Sequence, residues 1–388
     1  MCAILRGMSA FLFENDEHRA LREQVRRWSA AEIAPHAHDW EEAEEFPREL
    51  YAKAGAADML GIGYPESCGG SGGDITHIIV AAEEMILAGK SVGTCVGLGS
   101  HGIALPPIVH HGTDAQRERF VAPVLRGQKV SALAITEPGG GSDVASLRTR
   151  ADKDGDCYVV NGSKTFITSG TRADFVTAAV RTGGAQHGGI SLIIIEADTP
   201  GYSVSRKLKK TGWWASDTAE LSFEDCRVPA ENLIGPENAG FVAIMTNFTQ
   251  ERLLLAAQCV AIAELALREA HAYSKERQAF GRPIAGFQVI RHKLADMSTR
   301  LAAARALTGE LAMRYARGEQ DPALAAQTKN AATDMLTFVA DQAVQIHGGF
   351  GYMREYVVER LYRDARLYPI GGGTREIMNE IICKTRGY

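Results

Sequence analysis

Ser131-Ala-Leu-Ala-Ile-Thr-Glu-Pro-Gly-Gly-Gly-Ser-Asp143 is where the chain changes character. Before it, from Ser9 to about Gln128, charged and apolar residues recur at helical spacing, as over residues 17–28 and 78–87. Pro35, Pro47, residues 65–73 and the pair Pro106-Pro107 cut this region into several helices. After it, the runs 131–136, 158–160, 175–180, 190–195 and 219–223 are short, rich in β-branched residues and bounded by turns, which predicts strands. Asp154-Gly155 predicts a hairpin turn between two strands. From Gly240 the helical period returns in longer segments. Ile290, Leu294, Met297 and Leu301 form one apolar stripe, and residues 322–346 are nearly unbroken helix-formers. Long antiparallel helices of this kind pack as a bundle. The reading is an α+β protein with a helical unit over 9–130, a β unit over 131–235 and a helical bundle over 236–388, and a site is expected where the three meet.

Composition excludes several classes. With 388 residues, 45% hydrophobic and 23% charged, the chain can bury a large core without metal or crosslinks. Forty-two Lys and Arg against 47 Asp and Glu give a formal charge of −5, which argues against binding nucleic acid or anionic membranes through bulk charge. The seven cysteines are odd in number, scattered and free of any C-x-x-C pair, so neither a disulfide framework nor a zinc site is expected. No run of 18 apolar residues and no signal-like N-terminus is found, so the cytoplasm is the expected compartment and no membrane association is expected. The opening residues Met1 to Gly7 look unlike the rest of the chain, and Met8 is an alternative start. Glycine alone is in excess, at 40 residues, and it sits in local clusters.

Five clusters carry candidate chemistry. The opening stretch is a strand running into three glycines, which let backbone N–H groups approach a ligand; its spacing fits neither a P-loop nor a dinucleotide fingerprint, and a simple β-turn accounts for it equally. Asn161-Gly-Ser-Lys-Thr-Phe-Ile-Thr-Ser-Gly170 places Phe166 and Thr168 two apart, on one face of a strand, where a ring and a hydroxyl suit a flat heterocycle or a core edge. In Lys275-Glu-Arg-Gln-Ala-Phe-Gly-Arg-Pro-Ile284 a helix is expected to stop at Gly281 and Pro283, with Arg277 as a phosphate clamp or a helix-terminal cation. Gln345-Ile-His-Gly-Gly-Phe-Gly351 ends a helix in glycine, with His347 serving that turn. Leu361-Tyr-Arg-Asp-Ala-Arg-Leu-Tyr-Pro-Ile-Gly-Gly-Gly-Thr374 sets a triple glycine before a helix N-cap threonine.

In this order the clusters closely resemble the acyl-CoA dehydrogenase family, flavoenzymes that desaturate acyl-CoA thioesters between Cα and Cβ. The resemblance runs from about Phe11 to Lys384 and includes residues 65–73, Thr211-Gly-Trp-Trp-Ala-Ser-Asp-Thr218 and Arg227-Val-Pro229. It implies N-terminal helices, a middle β-barrel-like domain and a C-terminal four-helix bundle, assembled as a homotetramer that holds FAD between domains and subunits. It places the flavin against Leu133, Ile135, Thr136, Gly141 and Ser142, with Thr136 near the pyrimidine end. Phe166 stands where the family more often has Trp, and Thr168 near the reactive N5. Arg277, Phe280 and Gln288 match contacts to the phosphate and adenine side, as do Gln345, Ile346, Gly348 and Gly349 from a neighbouring subunit; Thr374 and Glu376 complete the FAD set. Ser142 and Arg252 match positions that meet the CoA portion, and Gly372 and Gly373 border the substrate.

The reaction implied by the resemblance needs a base for the α-proton and an acceptor for the β-hydride. Many members carry the base as a Glu two residues before the last Thr, and here that position is Gly372. Long-chain and isovaleryl-type members carry their Glu within an E-R-L stretch on the first long helix of the C-terminal domain, and this chain has Gln250-Glu-Arg-Leu-Leu-Leu255 there. Glu251 is therefore the expected catalytic base, while Gly372 keeps a backbone N–H for the thioester oxygen. Glu376 is a poor rival, being two residues beyond Thr374.

Other residues read as structural. His36 and His38 with Glu41 and Glu42 read as a solvated face rather than a metal site, and His110-His111 and Trp213-Trp214 read as local packing. The competing functions on this fold are an acyl-CoA oxidase or flavin monooxygenase using O₂, and a nucleic-acid-binding relative, against which the charge of −5 counts. An electron-transferring flavoprotein is the expected electron acceptor, and fatty acid β-oxidation the expected context. The position of the base leans toward long or branched acyl groups.

Overall fold

The structure is a computed structural model and describes residues 10–184 and 186–388; the opening segment Met1 to Gly7 and the alternative start at Met8 lie outside the described residues. Two main helices, α1 (Asp16–Glu32) and α2 (Ile75–Gly89), precede the sheet, with shorter helical pieces between α2 and residue 125. The strands are β1 (Ser131–Ala134), β2 (Arg150–Asp154), β3 (Cys157–Thr168), β4 (Phe175–Arg181), β5 (Ile190–Glu196), β6 (Tyr202–Lys207), β7 (Thr218–Pro229) and β8 (Leu233–Ile234). Helices α3 (Gly240–Glu276), α4 (Gln288–Ala316), α5 (Pro322–His347), α6 (Val357–Ala365) and α7 (Arg375–Arg386) complete the chain.

Local chemistry sets the helix starts. Asn15 and Asp74 each accept a backbone N–H in the first turn while His18 and His77, three residues on, reach back to the cap, so α1 and α2 open on matching capping boxes. Asp321 caps α5 with Pro322 in its first position, and Thr374 caps α7.

The sheet runs β6-β7-β3-β2-β4-β5-β8, with β1 paired to the N-terminal half of β4 in parallel. In β4 and β5 every residue except the last is buried, which is why those segments read as continuous apolar runs. The structure departs from the sequence expectation at the outer strands. β2 and β6 are mostly exposed and polar, so their identity comes from pairing with β3 and β7 and not from an apolar pattern. For the same reason β3 and β7, 12 residues each, extend well beyond the apolar segments 158–160 and 219–223. The hairpin turn falls one residue later than expected, because Asp154 pairs with Cys157 and leaves Gly155 and Asp156 as the loop, with Gly155 at φ +60°.

The largest core cluster does not respect the linear units: Ile75, Ile79, Ile86 and Val92 pack with Leu253, Val260, Leu301, Leu336 and Tyr368. Buried charges cross the same boundary. Arg22 pairs with Glu14 and Glu83 at 2.5 Å each, and Arg305 on α4 reaches Glu83 at 2.6 Å. Removing one partner from such a buried network typically costs about 3–5 kcal/mol, so these pairs fix how the N-terminal helices sit on the bundle.

Candidate active site

Glu251 lies on α3 and faces the Gly371–Gly373 turn before α7. Gly372 and Gly373 have φ +64° and +97°, conformations that favour glycine. A Cβ at Gly372 would lie 2.6 Å from Leu255 Cδ1 and 3.5 Å from Glu251 Oε1. A side chain at 372 would therefore enter the volume that Leu255 and Glu251 already fill, and a carboxylate could serve this spot from either backbone but not from both.

Two cations hold the turn: Arg252 Nε donates to the Gly372 carbonyl at 3.3 Å, and Lys329 Nζ on α5 donates to the Gly373 carbonyl. The N–H groups of Gly372, Gly373 and Thr374 donate to no partner among the described residues. Free backbone donors thus stand beside a carboxylate, the pairing that proton abstraction next to a carbonyl requires. Burial raises the Glu251 pKa above the usual carboxylate value, while Arg252 and Lys329 pull it down. The Glu251 residue keeps some solvent-accessible area, yet the crowding of protein atoms around its carboxyl still favours the protonated form. Burial lowers the Arg252 pKa and pushes the Lys329 ammonium down to about 8. Glu376 is exposed; its own backbone N–H and the Thr374 hydroxyl hold its carboxyl below the ordinary range.

The second group surrounds the end of β1. Thr165 N donates to the Thr136 carbonyl at 2.8 Å, and buried Lys164 Nζ donates to the Ile135 carbonyl at 3.0 Å and to Glu137 at 2.9 Å. Glu137 also accepts the N–H groups of Arg148 and Thr149, at 2.6 and 2.8 Å, which closes the loop on itself. Leu133 is half-buried, Ile135 buried, and Gly141 and Ser142 are exposed. Strict alternation does not place Phe166. β3 carries one extra residue between the pairs Lys164–Leu221 and Ile167–Ala219, and in this bulge Phe166 takes φ +61° and stands 69% exposed, with Thr168 half-buried beyond it. A bulge that turns an aromatic ring outward makes a platform.

The third group is apart from these. Helix α3 ends at Glu276, not at Gly281 as the sequence suggests; Gln278–Ala279 and Arg282–Pro283 form a small hairpin, with Phe280 and Gly281 both at positive φ in its turn. Phe280 is 95% exposed and meets the Phe287 ring edge-on. Arg277, Ile346, Gly348 and Gly349 line a hollow of about 510 Å³, with Arg277 over the Phe350 ring. Gln345 is exposed on the same helix, and exposed Gln288 lines a second hollow of about 500 Å³. No hydrogen bond, ion pair or ring contact among the described residues links this group to the Thr136 loop.

A different junction corrects the reading of Glu41 as solvated. It is buried, accepts the Ala215 N–H at 3.3 Å, and sits near Asp364, which accepts the Trp213 N–H at 2.6 Å. Burial, with the nearby Glu41 carboxylate, pushes Asp364 up to about 7. Trp213 meets Tyr368 edge-on at 5.4 Å, and Trp214 has Arg363 over its ring at 3.6 Å. The Thr211 to Thr218 motif is thereby fastened to the segment leading into Gly372.

Comparison with known proteins matches this architecture end to end. The acyl-CoA dehydrogenase N-terminal domain matches residues 15–128, the middle domain 132–226 and the C-terminal domain 238–386. The chain belongs to the acyl-CoA dehydrogenase family. It is 42% identical over 369 residues to an acyl-CoA dehydrogenase of Bacillus subtilis, covering 95% of this chain and 97% of that one. It is 40% identical over 376 residues to the long-chain specific acyl-CoA dehydrogenase of Sus scrofa, covering 95% of this chain and 86% of the relative. A crystal structure of a probable acyl-CoA dehydrogenase from Mycobacterium abscessus is 52% identical, with a TM-score of 0.94 over 95% of this chain and 98% of that one. Within this acyl-CoA dehydrogenase, Lys329, Lys164, Glu137 and Asp364 escaped sequence reasoning, and Glu41 was misread as solvated. Only Lys329 carried a signal, as a lone cation in Ala325-Ala-Gln-Thr-Lys-Asn-Ala-Ala332.

Proposed function

We propose that this enzyme is an FAD-dependent acyl-CoA dehydrogenase in which Glu251 takes the α-proton of an acyl-CoA thioester and the β-hydrogen leaves as hydride to give the trans-2-enoyl-CoA. The observation that carries the reading is the Glu251 carboxylate beside a turn with free N–H donors, at the point a Gly372 side chain would otherwise occupy. Glu251 accepts the proton as the Cα–H bond breaks. A thioester oxygen bonded to the Gly372 N–H is stabilised as it gains charge. Arg252 and Lys329 hold that turn in place, and Leu255 packs against it.

The residues present fit a flavin. Phe166 offers an exposed ring, Gly141 and Ser142 have N–H groups without partners among the described residues, and a Cβ at Gly139 or Gly140 would meet nothing within 4 Å, leaving room above the loop. When bound, FAD supplies the hydride acceptor. Thr136, Ser142, Phe166 and Thr168 would hold its ring, with Leu133 and Ile135 beneath. Because Arg277, Phe280, Gln288, Gln345, Ile346, Gly348 and Gly349 lie apart from that loop within one chain, their role in holding the distal part of FAD rests on a second copy, in a homotetramer. Thr374 and Glu376, directly after the Gly371–Gly373 turn in the chain, would complete the FAD contacts.

The acceptor of the reduced state is proposed to be an electron-transferring flavoprotein, the compartment the cytoplasm, and the substrates long or branched acyl-CoA thioesters of β-oxidation. No single helix among the described residues is long and apolar enough to cross a membrane. Anaerobic titration of the purified yellow protein with acyl-CoA thioesters tests the reading: bleaching at stoichiometric substrate supports it, and an unchanged spectrum across chain lengths and branching patterns overturns it. Recovery of colour with an electron-transferring flavoprotein but not with air separates the dehydrogenase from an oxidase.

A further inference from the structure

Lys329 is 1% exposed on α5, among Ala325, Ala326, Thr328 and Ala332, where an uncharged residue would be the ordinary occupant. Its Nζ donates to the Gly373 carbonyl, and Arg252 Nε from α3 donates to the Gly372 carbonyl. Consecutive carbonyls are thus held by cations from two helices. In a trans peptide the C=O and the following N–H point in opposite directions, so holding these carbonyls turns the N–H groups of Gly373 and Thr374 away from the cations.

We infer that Lys329 is a positioning residue for proton abstraction: it orients the Gly372–Gly373 turn and, while protonated, places a positive charge beside Glu251 that favours the ionised carboxylate. The inference rests on the proposed role of Glu251 as the base. The charged and titratable groups facing this pair are Arg252 and Cys259 from α3 and Arg375 from α7. Arg375 is paired with Asp334, and burial raises the Cys259 pKa, which leaves Arg252 and Lys329 as the cations acting on Glu251. Arg252 hydrogen-bonds the turn from the same helix as the base; Lys329 is the one of the two that couples α5 to it.

The test uses the flavin-loaded enzyme and the variants Glu251→Gln, Lys329→Met, Lys329→Gln and Lys329→Arg. Glu251→Gln comes first: if it retains activity, the base assignment itself falls. If it is inactive, the pH profile of kcat/KM decides on Lys329. Both neutral variants are expected to lose on the order of three- to tenfold more at pH 6 than at pH 8.5, because loss of a nearby positive charge moves the acid limb to higher pH. Lys329→Arg restores the wild-type limb. In parallel, amide hydrogen exchange of the peptide carrying Gly371 to Arg375 is measured on each variant with and without flavin, and Lys329→Met is expected to exchange faster there while the Thr136 loop is unchanged. An unmoved acid limb in a folded neutral variant overturns the inference, as does a limb that Lys329→Arg fails to restore. Should both neutral variants fail to fold, Lys329→Arg alone decides: a wild-type limb supports the inference and a displaced one overturns it.

Discussion

Replacing Glu251 with Gln removes the proposed base while leaving its shape, so the effect on chemistry separates from the effect on packing. Gln fills the same space beside Leu255 and Gly372, where a Cβ at position 372 would be 3.5 Å from the present Oε1. Glu376, the carboxylate two residues beyond Thr374, is exposed and hydrogen-bonded at the start of α7, and Asp334 is paired with Arg375, so neither substitutes. General-base catalysis contributes about 10²–10⁴-fold, so kcat should fall by at least that factor, or about 2.7–5.5 kcal/mol of barrier, with flavin content unchanged. Stability should move the other way. Burial raises the folded-state pKa of Glu251 above its ordinary value of 4.5, so the folded protein binds this proton more tightly than the unfolded chain. The ionised carboxylate therefore costs stability once the pH passes about 4.5, and the cost grows until the pH exceeds the folded-state value. The Gln variant should melt with wild type at pH 4 and above it at pH 8. Stopped-flow reduction of the flavin and thermal melts at the two pH values are the assays. Near-normal flavin bleaching, or a melting difference that shrinks as pH rises, refutes the reasoning.

Gly372→Ala should fold with a penalty of about 1–3 kcal/mol and lose activity, since the backbone there has a φ of +64° that disfavours a Cβ, and that Cβ would press on Leu255 Cδ1 at 2.6 Å; a denaturant melt beside a rate measurement checks both. Asp364→Asn should keep the bond to the Trp213 N–H but flatten the stability curve, because the wild-type carboxyl, raised to about 7, loses the protein stability as pH climbs from about 4 through 7; melts at pH 5 and 8 should differ less in the variant. Arg305→Met leaves Glu83 without one of its two arginine partners and should cost about 3–5 kcal/mol, read as a lower urea midpoint with unchanged substrate specificity.

The order of helices, sheet and bundle was legible in the sequence, because each period reports which face of an element is buried and that is a local property. One cap was equally legible: Thr374 sits at the start of α7 where its residue type and position put it, while the caps Asn15, Asp74 and Asp321 were seen only in the structure. Resemblance to a family pointed to Glu251 and to the glycine opposite it, neither of which local chemistry distinguishes from a surface carboxylate and a turn. What the tertiary structure decided is every contact between residues far apart in the chain. Lys329 lies 44 residues from the carbonyl it holds, and Asp364 151 residues from the N–H it accepts. The exposed strands β2 and β6 likewise exist through their partners, and the outward turn of Phe166 comes from a one-residue mismatch between β3 and β7. A sequence carries the period of each element locally, but the cost of burying a charge, and hence the pKa of Glu251 and the place of Lys329, depends on which elements close around it.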